Sequence, residues 1–214
     1  MAILFPQPKV SGLKQSVCLL VSLRDQMQNL TQVDWSQIPA PSDDGLANHL
    51  AGTLVPSVRL AATDGREIDL SKLQGRSVIY VYPMTGRPDT PLPDGWDMIP
   101  GARGCTPQSC AFRDHFAELR ALGVAHLFGL SVQDTGYQKE AAERLHLPFP
   151  LLSDKDFAFS GALGLPTFDV NEQKLLKRIT IIAQAGRIEQ VFYPVFPPDR
   201  NVHDVMAWLR ANPR

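Results

Sequence analysis

The chain has 214 residues, 44% of them hydrophobic and 20% charged, enough to bury one sizeable core. Its 21 Lys and Arg against 22 Asp and Glu leave a formal net charge of -1, which excludes the clustered basic surface that nucleic acid or an anionic membrane requires. Three cysteines are an odd, low count for a secreted disulfide framework, and in a reducing compartment such residues serve catalysis, redox sensing or metal binding.

From the N-terminus, the spacing of Leu13, Val17, Leu20 and Met27, with Leu19, Leu23 and Leu30, predicts an amphipathic helix over Leu13 to Leu30. It either docks on the main domain or serves as a dimerisation helix, so monomer and homodimer are both expected states. Its apolar run Val17 to Val21 is too short to cross a bilayer. Arg24 and Asp25 stand where a signal-peptide cleavage site would need small residues, so no membrane partner and a cytoplasmic location are expected. Cys18, on this helix, reads as structural. The breaker-rich stretch Ile38 to Gly45 reads as a linker, with Trp35 tucked against the body.

Beyond residue 50 the pattern alternates. Val58 to Ala62 and Arg66 to Leu70 flank Asp64-Gly65, a hairpin signal. Ser77 to Tyr82 is an apolar, β-branched and aromatic run suited to a strand buried on both faces. Gly86 to Gly104, rich in proline and glycine, is expected to be a long loop of functional character. Phe112, Phe116, Leu119 and Leu122 predict a helix over Pro107 to Leu122, closed by Gly123. A strand over Val124 to Val132, helices over Tyr137 to Leu145 and Asp154 to Leu163, strands over Lys177 to Ala183 and Arg187 to Tyr193, and a helix over Val202 to Arg210 complete the reading. Alternating strands and helices call for a central, mostly parallel sheet, and the late hairpin adds an antiparallel edge. The expectation is the thioredoxin-like α/β plan: a central mixed sheet flanked by helices over residues 51–214, preceded by an N-terminal helical extension and linker over 1–50.

The chemistry concentrates in Gly104-Cys105-Thr-Pro-Gln-Ser-Cys110-Ala-Phe-Arg-Asp114. Pro107 suits a first helical turn, which sets Cys105 at or just before a helix N-terminus. Unpaired N–H groups and the helix dipole stabilise an anion there and favour the thiolate, the nucleophilic form of cysteine. Cys110 follows five residues later. On an intact helix the two Cα atoms lie roughly 8–9 Å apart, whereas a disulfide wants about 7 Å or less. The first turn must therefore unwind before the two sulfurs can meet. Two competing readings are a pair of inert buried cysteines, awkward because the five-residue step puts them on different helix faces, and a metal site with His115, whose spacing matches no zinc pattern.

The segment GCTPQSCAFRD, placed after SVIYVYP, resembles the peroxidatic region of peroxiredoxins, most nearly the bacterioferritin-comigratory or Q-type branch, from about Thr53 to the C-terminus. By that resemblance Cys105 would be the peroxidatic cysteine and Cys110 its resolving partner in an intramolecular disulfide. The late-strand run Lys177-Arg178-Ile-Thr-Ile-Ile matches the family stretch that carries an arginine, so Arg178 would stabilise the thiolate and the charge developing on the peroxide. The implied activity is reduction of hydrogen peroxide or organic hydroperoxides, with regeneration by a dithiol such as thioredoxin or glutaredoxin and no metal or organic cofactor.

One departure stands out. The family proline lies seven residues before the cysteine with a threonine or serine between them, but here Pro83 is 22 residues before Cys105 and position 102 is Ala. An insertion through Gly86 to Gly104 separates the two halves. Thr85, close behind Pro83, is the candidate peroxide-binding hydroxyl; otherwise the hydroxyl is missing or comes from Thr106. Arg103 either adds positive charge beside Cys105 or is a solvated loop residue. A second function class, a redox-responsive binding protein working through the same thiol switch, is suggested by the altered threonine position. A thiol-disulfide oxidoreductase is disfavoured because the pair is C-x4-C.

Overall fold

A computed structural model describes residues 33–213; the expected helix over Leu13 to Leu30, and Cys18 with it, lie outside them. The framework is a seven-stranded sheet made from β1 (Arg59–Ala62), β2 (Glu67–Asp69), β3 (Arg76–Val81), β4 (Val124–Ser131), β5 (Leu151–Ser153), β8 (Ile179–Gln184) and β9 (Arg187–Phe192). Its order is β2-β1-β5-β4-β3-β8-β9. Only the centre is parallel, where β4 runs with both β3 and β5. The β1 side and the β8–β9 side are antiparallel, so the sheet is mixed rather than mostly parallel.

Strand β3 shows how the sequence sets the layers. Val78, Tyr80 and Tyr82 point to one face, Ile79 and Val81 to the other, and all are essentially inaccessible. The first face is covered by helices α1 (Cys105–Asp114), α2 (Phe116–Ala121), α3 (Thr135–Arg144) and α5 (Asn201–Ala211), through Phe112, Leu119, Ala141, Val205 and Met206. The second is covered by α4 (Ala158–Leu163) through Phe159 and Leu163, and by Ala47 and Leu50. Tyr80 stacks on Phe112 with ring centroids 4.6 Å apart and lies edge-on to Phe149.

Three local features differ from the reading of the sequence. The expected helix over Pro107 to Leu122 starts earlier, at Cys105, and breaks at His115, whose backbone leaves helical values and whose ring nitrogen contacts the Ala111 carbonyl at 3.0 Å. Strand β5 was not foreseen, being three residues long and preceded by Pro148 and Pro150. Nor was the small hairpin of β6 (Thr167–Val170) and β7 (Gln173–Leu176), turned by Asn171 and Glu172, both at positive φ.

The long segment 86–104 holds only a short 3-10 turn, Trp96–Met98. It is nevertheless packed. Trp96 is buried with Ala102, Val170 and Leu175, flanked by Met84, Leu92, Ile99 and Phe168, in a separate cluster seated on the β6–β7 hairpin. The preceding segment also closes on the body: Trp35 donates to Asp199 at 3.0 Å and meets the Phe196 ring edge-on, as its tucked reading anticipates.

Gly129 in β4 tests the tightness of the first face. A Cβ there would lie 2.6 Å from Leu151 Cδ2 and 2.7 Å from the Tyr80 ring, which Phe112 and Phe149 hold in place. Gly129→Ala is expected to lower stability by about 1–3 kcal/mol, whereas Gly161→Ala in α4, which meets nothing within 4 Å, is expected to leave it unchanged or raised by about 0.5–1 kcal/mol. Urea denaturation of the two variants checks the contrast.

Candidate active site

Register brings the site together. Val81, the last residue of β3, pairs with Ile179, the first of β8, so Arg178 sits just past the C-terminal end of β3. The chain leaving β3 returns through the insert to start α1 at that same end. Gly104 makes the entrance with φ of +105°, a conformation glycine adopts without penalty. A Cβ at Gly104 would also lie 2.6 Å from the Trp35 ring and 2.7 Å from Pro198. Cys105 is thereby the first helical residue, and the first backbone hydrogen bond of the helix runs from Gln108 to the Gly104 carbonyl at 3.0 Å.

Arg178 Nη2 lies 3.1 Å from Cys105 Sγ. The same nitrogen donates to the carbonyls of Ala102 at 3.1 Å and Arg103 at 3.2 Å, and Nη1 donates to Gln108 Oε1. Arg178 is 3% exposed and Cys105 4%. Among the described residues, no carboxylate is a hydrogen-bond partner of this guanidinium. The guanidinium and the first turn of α1 both face the Cys105 sulfur, and the Cys105 thiol also approaches the Ala102 carbonyl at 3.7 Å.

Behind the arginine runs a relay that sequence reasoning missed. Gln108, fully buried, donates through Nε2 to Asn201 Oδ1 at 3.1 Å, and Asn201 accepts from Thr180 Oγ1 at 2.6 Å. It ties α1, α5 and β8 together and fixes the guanidinium that faces the sulfur. In the sequence Gln108 is one polar residue among several in Cys105–Asp114, and nothing there distinguishes it from Thr106 or Ser109. A second tie is the Tyr80 hydroxyl, which donates to Ser109 Oγ at 3.1 Å. A third lies at the surface, where Lys177 donates to Asp44 at 2.6 Å and holds its carboxyl down to about 2.

Cys110 shares α1 with Cys105, and both are free thiols. It is half-buried, and burial pushes its thiol up, outweighing the opposing pull of Arg113. The two cysteines are thus electrostatically unlike: one faces a buried guanidinium, the other is held protonated.

Thr85 and Pro83 are not brought to the sulfur. Thr85 Oγ1 donates to Gln133 Oε1 at 3.1 Å, and the Thr85 amide donates to the same atom at 2.8 Å. The cleft above Cys105 is lined by Met84 and Gly86, on either side of Thr85, together with Leu92, Trp96, Arg103, Thr106 and Pro107. Pro83 is buried at the end of β3 and does not line it. The threonine beside the cysteine is Thr106. Arg103 is paired with Asp97 at 2.7 Å rather than solvated alone. Among the described residues no three His, Cys, Asp or Glu side chains cluster as metal ligands, and no helix is long and apolar enough to cross a membrane.

A family model described as Redoxin matches residues 50–209. Peroxiredoxin Bcp of Escherichia coli (strain K12) is 32% identical over 168 residues, covering 76% of this chain and 96% of that protein. Chloroplastic peroxiredoxin Q of Populus jackii is 26% identical over 211 residues, covering 96% and 91%. The chain spans 66% of the length of the chloroplastic peroxiredoxin Q of Oryza sativa subsp. japonica, at 29% identity. Among solved structures, peroxidoxin BcpB from Mycobacterium tuberculosis superposes with a TM-score of 0.61 at 24% identity, covering 76% of this chain and 98% of that one, a likeness of fold. Fold and sequence together define a thioredoxin-like redoxin domain. The chain belongs to the redoxin family, within its peroxiredoxin Q and Bcp branch.

The state of Cys110 has a direct readout. Because burial raises its thiol above the usual value of 9.0, the neutral form persists through pH 8 and the reactive thiolate accumulates only above it. In a Cys105→Ser variant, iodoacetamide labelling of the Cys110 peptide is expected to keep accelerating beyond pH 9, about tenfold per pH unit below the midpoint. Levelling below pH 8.5 contradicts this electrostatic assignment.

Proposed function

We propose that this peroxiredoxin works through Cys105 as peroxidatic cysteine, Cys110 as resolving cysteine and Arg178 as the group that stabilises the reacting charge. The observation that carries the reading is the 3.1 Å contact between the buried Arg178 guanidinium and Cys105 Sγ. The Cys105 thiolate attacks the terminal oxygen of a hydroperoxide. The O–O bond breaks as the S–O bond forms, leaving a sulfenic acid and an alkoxide or hydroxide that takes up a proton and departs as alcohol or water. The guanidinium is placed to stabilise the negative charge as it passes from sulfur to the leaving oxygen.

The sulfenic acid then condenses with the Cys110 thiol, releasing water and forming the intramolecular disulfide. That step requires α1 to unwind, since the helix holds the two Cα atoms roughly 8–9 Å apart. Leaving the helix removes Cys105 from Arg178 and breaks the Tyr80 to Ser109 tie. A dithiol reductant of the thioredoxin or glutaredoxin kind restores both thiols by exchange and is itself oxidised to a disulfide. This chemistry calls for no metal or organic cofactor. A monomer or homodimer in the cytoplasm fits the reading. Thr106, at the cleft, supplies the hydroxyl for the peroxide, while Thr85 braces the strand end through Gln133. The relatives that match are peroxiredoxins by name, and no feature of the site favours the redox-responsive binding protein.

Peroxide consumption with a dithiol donor tests the assignment. Cys105→Ser is expected to abolish turnover, and Arg178→Met to lower kcat/KM by roughly 10²–10³. Cys110→Ser is expected to retain a single-turnover burst and lose the steady state. One equivalent of peroxide followed by digestion without reduction should yield a bridged Cys105–Cys110 peptide; a bridge to Cys18 or between two chains overturns the assignment of the resolving partner. Separately, Thr106→Val is expected to depress kcat/KM for hydrogen peroxide more than Thr85→Val does.

A further inference from the structure

The insert contributes the walls of two neighbouring spaces of very different size. The cleft over Cys105 measures about 10 Å³, close to the least volume that admits a single water molecule. Beside it lies an open groove of about 670 Å³, lined largely by apolar side chains that include Pro91, Pro93, Val132, Phe157 and Leu175. Met84 and Leu92 line both spaces. They stand between the groove and the sulfur.

That partition is firmly supported. Trp96, at the floor of the cleft, is 4% exposed and lies 6.3 Å, centroid to centroid, from Phe168 on the β6–β7 hairpin. Successive backbone bonds from Met98 to Gly95, Ile99 to Trp96 and Ala102 to Ile99 stiffen the turn around it. At the start of the insert the Gly86 carbonyl accepts from Arg144 at 2.9 Å. The segment is a built wall, and Met84 and Leu92, packed against the Trp96 cluster, fill the space that a reactant extending from the cleft into the groove would occupy.

We propose that Met84 and Leu92, seated on Trp96, are the specificity-determining residues at this site, admitting hydrogen peroxide and restricting bulky organic hydroperoxides. The proposal rests on the peroxidase reading above and adds the substrate class. Hydrogen peroxide is little larger than the water the cleft accommodates, whereas an aryl or long alkyl group must occupy space these two side chains fill. Truncating them joins the cleft to the groove, which is large and apolar enough to take such a group.

The test compares kcat/KM for hydrogen peroxide and for cumene hydroperoxide in the unaltered protein, in Leu92→Ala and in the Met84→Ala/Leu92→Ala double variant. The unaltered protein is expected to prefer hydrogen peroxide by tenfold or more. The cumene-to-hydrogen peroxide ratio is expected to rise by roughly 10–200-fold in the double variant, the scale on which apolar pockets discriminate by size. A ratio near one in the unaltered protein overturns the proposal, as does a ratio that truncation leaves in place. Leu92 is only partly buried, so the single variant keeps the test open should the double variant fail to fold. Absence of turnover with hydrogen peroxide itself instead sinks the peroxidase reading, which keeps the two failures distinct.

Discussion

A buried guanidinium that meets no carboxylate among the described residues governs this molecule. Arg178 sits within the protein with carbonyls, one amide oxygen and one sulfur around it. Carbonyl dipoles offset part of the desolvation cost of a charge but supply no opposite charge. The contact with the Cys105 sulfur at 3.1 Å is therefore the one that joins the buried cation to the reaction proposed for this site.

This arrangement sets two demands on α1 that conflict. To keep Cys105 against Arg178 the helix must be formed from its first residue, and Gln108, Ser109 and the turn after Gly104 are all tied to do so. To join Cys105 to Cys110 that same turn must come apart. Oxidation resolves the conflict. In the proposed cycle, oxidation adds an oxygen to the Cys105 sulfur and so alters the contact with Arg178 that helps to keep the first turn wound. Remaining ties such as Tyr80 to Ser109 are ordinary neutral hydrogen bonds of about 0.5–1.5 kcal/mol each.

How much of this could be read in the sequence follows from the range of the forces concerned. Strands β3, β4 and β8 were legible because their apolar, β-branched runs are long and mostly buried, and the edge strand β9 as the second arm of the late hairpin. Cys105 was legible because a helix start and a motif coincide on it, and Arg178 through the motif alone. Strand β5 was not, since three residues behind two prolines carry no periodicity, and its pairing with β4 and β1 is what makes it a strand. The break at His115 depends on a ring contact with Ala111, and the relay through Gln108 and Asn201 depends on residues 93 positions apart. The β6–β7 hairpin left a fainter trace, an Asn at the first position of a two-residue turn.

Thr85 is the instructive miss. The reading placed a hydroxyl beside Pro83 because that is where chain order puts it, but the insert leaves β3 before reaching the cysteine. Its last residues, Gly101 to Gly104, re-create only the backbone of the approach. At Ala102 and Arg103 the carbonyls that hold Arg178 are retained, and a carbonyl is available whatever the side chain. A hydroxyl is not, and Ala102 has none. Backbone functions thus survive an insertion that side-chain functions do not. The segment that displaced the hydroxyl is also the one that walls the cleft with Leu92 and Trp96. The hydroxyl that does line the cleft, on Thr106, comes from α1 itself and so lies beyond the reach of the insertion.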